Sequence, residues 1–68
     1  MNTIDKIIEE FGTQALLRRY LAKHGFVYSK QALSYWKINN YMPVKVRECV
    51  NKYLTDRNIF IDFDDLKK

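Results

Sequence analysis

The sequence predicts an all-α domain of four helices, and three observations lead to this fold class. Apolar residues recur at helical spacings of three and four in four segments of the 68-residue chain. Capping residues or a proline precede these segments, and glycine or asparagine follows them. The third observation is size, because a chain this short forms one domain, residues 1–68, around one small core.

The first helix is predicted from Thr3 to Phe11. Either Asn2 or Thr3 can cap its first amides, and Gly12 ends it because glycine adopts left-handed backbone angles without a Cβ clash. Its apolar stripe consists of Ile4, Ile7, Ile8 and Phe11.

The second helix is predicted from Gln14 to His24, with Thr13 as its N-cap and Gly25 as its stop. The imidazole of His24 suits the helix C-terminus, where the helix dipole favours positive charge. The buried stripe is expected to be Leu16, Leu17, Tyr20 and Leu21. In the connection that follows, Val27 is expected to fill the core between two helices.

The third helix is predicted to start after the N-cap Ser29 and to run to about Ile38, ending at the Asn39-Asn40 pair. Its inner face is expected to be Ala32, Leu33 and Trp36, with Trp36 in the core. Its other faces carry polar and aromatic side chains.

The fourth helix is predicted to begin at Pro43, because proline suits a first helical turn, and to end near Arg57-Asn58. Its stripe is expected to be Val46, Cys49, Val50, Tyr53 and Leu54, with Cys49 as a small core residue. Residues 58–68 form a C-terminal arm, for which the alternation of apolar residues favours a short strand or extended segment. A fifth helical turn at residues 64–67 is the alternative.

Charge is distributed unevenly along the chain. The net charge is +4, but residues 11–47 contain no acid and carry +7, so the remainder carries −3, the difference between the two. A long basic segment without acids indicates a polyanionic partner, and a solvated basic face is the alternative. This acid-free segment contains the predicted second and third helices, so these two helices are a candidate DNA-binding helix-turn-helix.

Ser29, Lys30, Gln31 and Ser34 occupy the first turns of the third helix, where side chains of this type can bind base edges. Together with the surrounding residues they resemble the small phage Cro-type repressors and related helix-turn-helix regulators. The resemblance covers residues 11–54 and is carried by Phe11-Gly12-Thr13-Gln14, Ser29, Gln31-Ala32, Ser34, Trp36 and Pro43. The chain departs from the family in having a second helix longer by nearly a turn.

The resemblance implies a role for each polar residue of this region. Lys30, Gln31, Ser34 and Tyr35 would face bases. Gln14 would contact the DNA backbone, and Lys37 and Asn39 would hold phosphates beyond the third helix. Arg18→Ala is expected to be nearly silent unless the longer second helix reaches the backbone.

The predicted function is sequence-specific binding of double-stranded DNA by a transcriptional regulator, a phage or prophage repressor that acts as a homodimer on a near-palindromic operator. The dimer contact is assigned to the apolar tail residues Ile59, Phe60, Ile61 and Phe63, and the alternative is that they cover their own core. Other interpretations are an excisionase-like architectural factor, a protein-interaction module such as an antirepressor, and a basic RNA binder.

Enzymatic function is not predicted, because the sequence contains no nucleophile–base constellation, carboxylate pair or phosphate-binding glycine loop. No cofactor, metal or small-molecule substrate is expected, and a single cysteine excludes an internal disulfide. The sequence also lacks an apolar run long enough to cross a membrane. We expect a location in the bacterial cytoplasm or nucleoid, in the host cell if the protein is phage-encoded.

Overall fold

The structure, a computed structural model, describes residues 2–67 and confirms the predicted all-α class. Within this range the chain forms four α-helices and no strand. The helices are α1 (Thr3–Phe11), α2 (Gln14–Lys23), α3 (Lys30–Asn39) and α4 (Val44–Thr55). None of the helices in residues 2–67 has the length and apolar character needed to cross a membrane.

Side-chain caps set the starts of the first three helices. Of the two cap candidates for α1, Asn2 is the one used, and its side chain accepts a hydrogen bond from the amide of Asp5 at 2.9 Å. Thr13 and Ser29 accept equivalent hydrogen bonds at 3.1 Å from the third residue that follows each of them. Pro43 precedes α4 as its cap residue, so this helix begins one residue later than predicted.

The ends of α1 and α3 depend on left-handed backbone geometry. Gly12 ends α1 with φ +110°, and a Cβ at this position would meet Leu16 Cδ1 at 3.0 Å. Asn40 ends α3 in the left-handed region with φ 49°, as the Asn39-Asn40 pair predicted. His24 is the C-cap residue of α2, which therefore ends at Lys23, one residue earlier than predicted.

All four helices contribute to a single core. Its fully buried members follow most of the predicted stripes, except that Leu16 is exposed and that five others are only half-buried, namely Ile8, Tyr20, Ala32, Cys49 and Tyr53. The buried apolar residues are Ile4, Ile7, Phe11, Leu17, Leu21, Leu33, Trp36, Met42, Val46, Val50, Leu54 and Leu66.

The prediction that Val27 fills the core is wrong, because 81% of this residue is exposed. Its neighbours Phe26 and Tyr28 pack against the core instead, and the Tyr28 ring lies edge-on to Trp36 with centroids 4.8 Å apart. Residues two apart in a non-helical connection can face the same side, which leaves the residue between them facing solvent.

An aromatic cluster joins α1, α2 and α4. Phe11 stacks on Tyr53 with ring centroids 4.0 Å apart, and Tyr20 lies 4.9–5.1 Å from both rings. Burial and, to a lesser extent, the neighbouring Cys49 thiol raise the pKa of Tyr20 above its ordinary value. The cluster fixes α2, which precedes the candidate DNA-binding helix.

The C-terminal tail covers the core and forms no strand within the described residues. Ile59, Ile61 and Phe63 are half-buried against the core, whereas Phe60 is 80% exposed. A turn follows, in which the Leu66 amide donates to the Phe63 carbonyl at 3.1 Å, so the predicted strand and fifth helical turn are both replaced by irregular structure.

Hydrogen bonds attach the end of the tail to the C-terminus of α3. We call this region the Asn40 corner and define it by Thr3, Asn40, Arg47, Asp65 and Lys67. The Asn40 side chain accepts from the Thr3 amide at 3.2 Å and donates to the Asp65 carbonyl at 2.9 Å. The Asn40 carbonyl accepts from the Lys67 amide at 2.9 Å, and Arg47 donates to the Lys67 carbonyl. The Thr3 hydroxyl donates to the Asp65 carboxylate.

Candidate nucleic-acid interface

The opposite faces of α3 differ sharply in exposure. Leu33 and Trp36 are buried and hold the helix against the core. On the other side Gln31, Tyr35 and Ile38 are exposed and follow one another at spacings of four and three residues, which is one stripe of an α-helix. The residues we call the outer face of α3 are Lys30, Gln31, Ser34, Tyr35 and Ile38.

Lys30 and Gln31 lie in the first turn of this helix, and both are exposed. Neither side chain forms a hydrogen bond or an ion pair with any residue between 2 and 67. The amide of Gln31 and the ammonium of Lys30 are therefore available to an external ligand, and these are the groups that bind adenine and guanine edges in a major groove.

Gln14 and Ser29 stabilise the start of α3. The Ser29 hydroxyl accepts a hydrogen bond from the Ala32 amide, so its oxygen is engaged in capping. The Gln14 side chain donates through Nε2 to the Lys30 carbonyl at 3.2 Å and so connects the first turn of α2 to the first turn of α3. This bond fixes the two helix starts relative to each other, a role that the sequence did not indicate.

Ser34 and Tyr35 occupy the middle of the outer face. Ser34 is half-buried, and Tyr35 is 58% exposed with its ring 6.4 Å from that of Tyr41 in an edge-on arrangement. The Tyr35 ring therefore has a neighbour on one side and solvent on the other, which holds it at the surface of the helix.

Lys37 and Asn39, which the family resemblance assigned to phosphates, are engaged within the chain. Lys37 Nζ lies 3.6 Å from Asp5 Oδ1 on α1. The Asn39 side chain donates to the Tyr35 carbonyl at 2.9 Å. A phosphate would have to compete with Asp5 for Lys37, and Asp5 lies 32 positions earlier in the chain, outside the acid-free segment.

Sequence reasoning assigned no role to Ile38, and it gave Arg18 one only if the longer second helix reaches the DNA backbone. Ile38 is 82% exposed at the end of the outer face, where an apolar side chain can contact a thymine methyl group. Ile38 follows Gln31 by seven positions, which is two helical turns, and this spacing could have predicted that both lie on the same face. Arg18 lies on α2 beside Lys30, and both line the same surface cleft together with Gln14. No local sequence signal identifies that neighbourhood.

The ion pair between Lys37 and Asp5 is the only one within residues 2–67. The other cations of the acid-free segment therefore have no carboxylate partner among these residues, and they are Arg18, Arg19, Lys23, Lys30, Lys45 and Arg47. The described residues also contain no cluster of three or more His, Cys, Asp or Glu side chains suited to a metal ion.

Comparisons with known proteins add no assignment. No protein-family model matches the chain, and neither the curated proteins nor the solved structures gave a significant match.

Proposed function

We propose that this protein binds double-stranded DNA in a sequence-specific manner through the outer face of α3. The observation that carries the proposal is the first turn of that helix, where the side chains of Lys30 and Gln31 are exposed and form no hydrogen bond or ion pair with any residue between 2 and 67. The buried Leu33 and Trp36 supply the rigid attachment that a base-contacting helix needs.

Electrostatics support the same partner. The segment that contains α2 and α3 has no acidic residue, so few groups in it repel phosphate. Phosphate contacts by lysine and arginine would supply most of the affinity through counterion release, and Gln31 and its neighbours would supply the discrimination between bases.

We further propose that the protein is a transcriptional repressor of the Cro type that acts as a dimer in the bacterial cytoplasm. One helix contacts only a few base pairs, and two related by a twofold axis would lie about 34 Å apart on a near-palindromic site. Of the four tail residues assigned to the dimer contact, Phe60 is the exposed one, and it is therefore the best candidate for that contact.

The experiment is selection of bound sites from a random duplex pool, followed by affinity measurements over a range of salt concentrations. Lys30→Ala is compared with Lys52→Ala, which removes the same charge from an exposed position on α4. We expect a near-palindromic consensus, a strong decrease of affinity with salt, and a loss of affinity for Lys30→Ala alone. Binding without a consensus would contradict sequence specificity, and no binding at low salt would contradict DNA binding altogether.

A second candidate is a protein-interaction module, and the exposed side chain of Ile38 favours it. A large apolar residue on an otherwise polar helix face is typical of a protein contact. The two candidates differ in the effect of Ile38→Lys, which adds a positive charge. The added charge should offset any lost contact with a thymine methyl group, so the affinity for DNA should change little, whereas an apolar protein contact should be abolished.

A further inference from the structure

Arg18 lies between two adjoining clefts on the surface of α2. One, of about 200 Å³, is also lined by Gln14, Ala15 and Lys30. The other, of about 300 Å³, extends along α2 to Tyr28 and Arg19. None of the residues that line either cleft is acidic. The guanidinium group of Arg18 therefore lies in a cationic environment that has no counter-charge from the described part of the chain.

The Nε atom of Arg18 is buried and bonds to no acceptor among residues 2–67. Buried N–H groups are almost always hydrogen-bonded, so an exception calls for an explanation. A guanidinium group also keeps its proton at every physiological pH and therefore cannot become neutral to avoid the cost of burial. A rotation of this side chain toward the adjoining clefts would let an oxyanion bound there accept from the donor.

We propose that Arg18, Lys30 and Gln14 form a phosphate-binding cleft whose ligand is a backbone phosphate of duplex DNA beside α3. The Nε–H and one terminal N–H of a guanidinium can bind two oxygens of a phosphate side by side. Lys30 supplies a second positive charge at the cleft. Gln14 Nε2 uses one proton for the Lys30 carbonyl and has a second available for the phosphate.

The position of Lys30 connects this cleft to the outer face of α3. Lys30 lines the cleft and also belongs to the first turn of α3, so a phosphate bound to Arg18 would lie next to the helix that enters the groove. Phosphate contacts of this kind set the register of a protein on DNA. The inference rests on the proposed function, and it makes Arg18 a phosphate-binding residue. This is the case in which the longer second helix reaches the DNA backbone, so the substitution of Arg18 is no longer expected to be silent.

The first part of the test uses inorganic phosphate alone. Two-dimensional NMR of the ¹⁵N-labelled protein would follow the Arg18 Nε–Hε signal. The control is the same signal of Arg57, whose guanidinium lies away from the cleft, 3.7 Å from the ring centroid of the α4 residue Tyr53. We expect a saturable shift of the Arg18 signal that Lys30→Ala weakens. A shift no larger than that of Arg57 would overturn the phosphate cleft.

The second part uses duplex DNA and the variants Arg18→Ala, Arg18→Lys and Lys52→Ala. We expect Arg18→Ala to weaken binding about tenfold on every sequence and to reduce the salt slope by about one. Arg18→Lys keeps the charge, and should keep the slope while binding several-fold more weakly than the wild type. Lys52→Ala should change neither quantity. Urea unfolding curves for each variant show whether a loss of binding reflects a loss of folding.

The outcomes separate the inference from the proposed function. If the wild type binds DNA and Arg18→Ala binds it equally well, the inference fails and the proposed function stands. If phosphate shifts the Arg18 signal but no duplex binds, the proposed function fails and the ligand of the cleft is a free phosphate. If Arg18→Ala folds like the wild type, binds DNA more weakly and shows a reduced salt slope, the results support both the inference and the proposed function.

Discussion

The outer face of α3 and the Asn40 corner differ in how their polar groups are satisfied. In the corner, Asn40 bonds to both Thr3 and Asp65, and Arg47 and Lys67 add further bonds. On the outer face, the side chains of the first turn have no partner within residues 2–67. The difference indicates that the corner contributes stability, whereas the polar groups of the outer face contribute little to it and are the ones that we propose contact DNA. Substitutions should therefore separate the two properties.

The largest effect should come from the inner face of α3. Trp36→Ala removes a buried indole that also packs on Tyr28, and we expect the free energy of unfolding to fall by about 3–5 kcal/mol. Tyr35→Ala on the exposed side is the matched control and should cost less than about 1 kcal/mol. Urea unfolding followed by far-ultraviolet circular dichroism measures both. Equal losses would mean that α3 is not held through its inner face.

A smaller loss of stability is expected in the Asn40 corner. Asn40→Ala removes two side-chain hydrogen bonds and places alanine at φ 49°, so we expect a loss of about 2–4 kcal/mol. Asn58→Ala is the control, because Asn58 has φ 58° but its side chain makes no hydrogen bond within residues 2–67. Its loss should be about 1 kcal/mol. Similar values in thermal unfolding would show that backbone strain alone explains the corner.

On the outer face the expected effect concerns binding and not folding. Gln31→Ala should cost about 1–3 kcal/mol of DNA-binding free energy and relax the preference at one base position. Gln14→Ala is the matched control. The Gln14 amide bonds to the Lys30 carbonyl and not to a base, so its loss should lower the affinity for all DNA sequences alike. Anisotropy titrations against single-base variants of the selected site measure both. A uniform loss with Gln31→Ala would place this side chain on the backbone and not on a base.

The smallest effect should be an acid-dependent loss of stability in the Asn40 corner. The hydrogen bond from Thr3 is the main cause that lowers the pKa of Asp65 below its ordinary value of 3.8. Because the folded-state pKa is the lower one, the stabilisation is present above pH 3.8 and is lost as the pH falls through the folded-state value.

Thr3→Val removes the hydroxyl that donates to the Asp65 carboxylate, and it should make the melting temperature less dependent on pH below about 4. Asp64→Asn serves as the control, because this neighbouring carboxylate accepts no hydrogen bond within residues 2–67. Melting curves between about pH 2 and pH 6 make the comparison. The interpretation fails if the slope for Thr3→Val matches that of the wild type.

Much of the fold could be predicted because its signals are local. The caps Thr13 and Ser29, the stops Gly12 and Asn40 and the helical apolar stripes act over one to four residues, and the observed helices begin and end within about two residues of the expected positions. The same periodicity separates the buried Trp36 from the outer face of α3.

The sequence by itself therefore determined the four helices, the face that α3 buries and the basic segment from which the DNA-binding proposal starts. The tertiary structure decided which polar groups find a partner within the chain and which remain available to an external ligand. It pairs Lys37 with Asp5, folds three of the four tail residues onto the core, and leaves Arg18 Nε buried without an acceptor within residues 2–67. The physical reason is that these outcomes depend on residues far apart in the chain, whose distances follow from packing and not from local spacing.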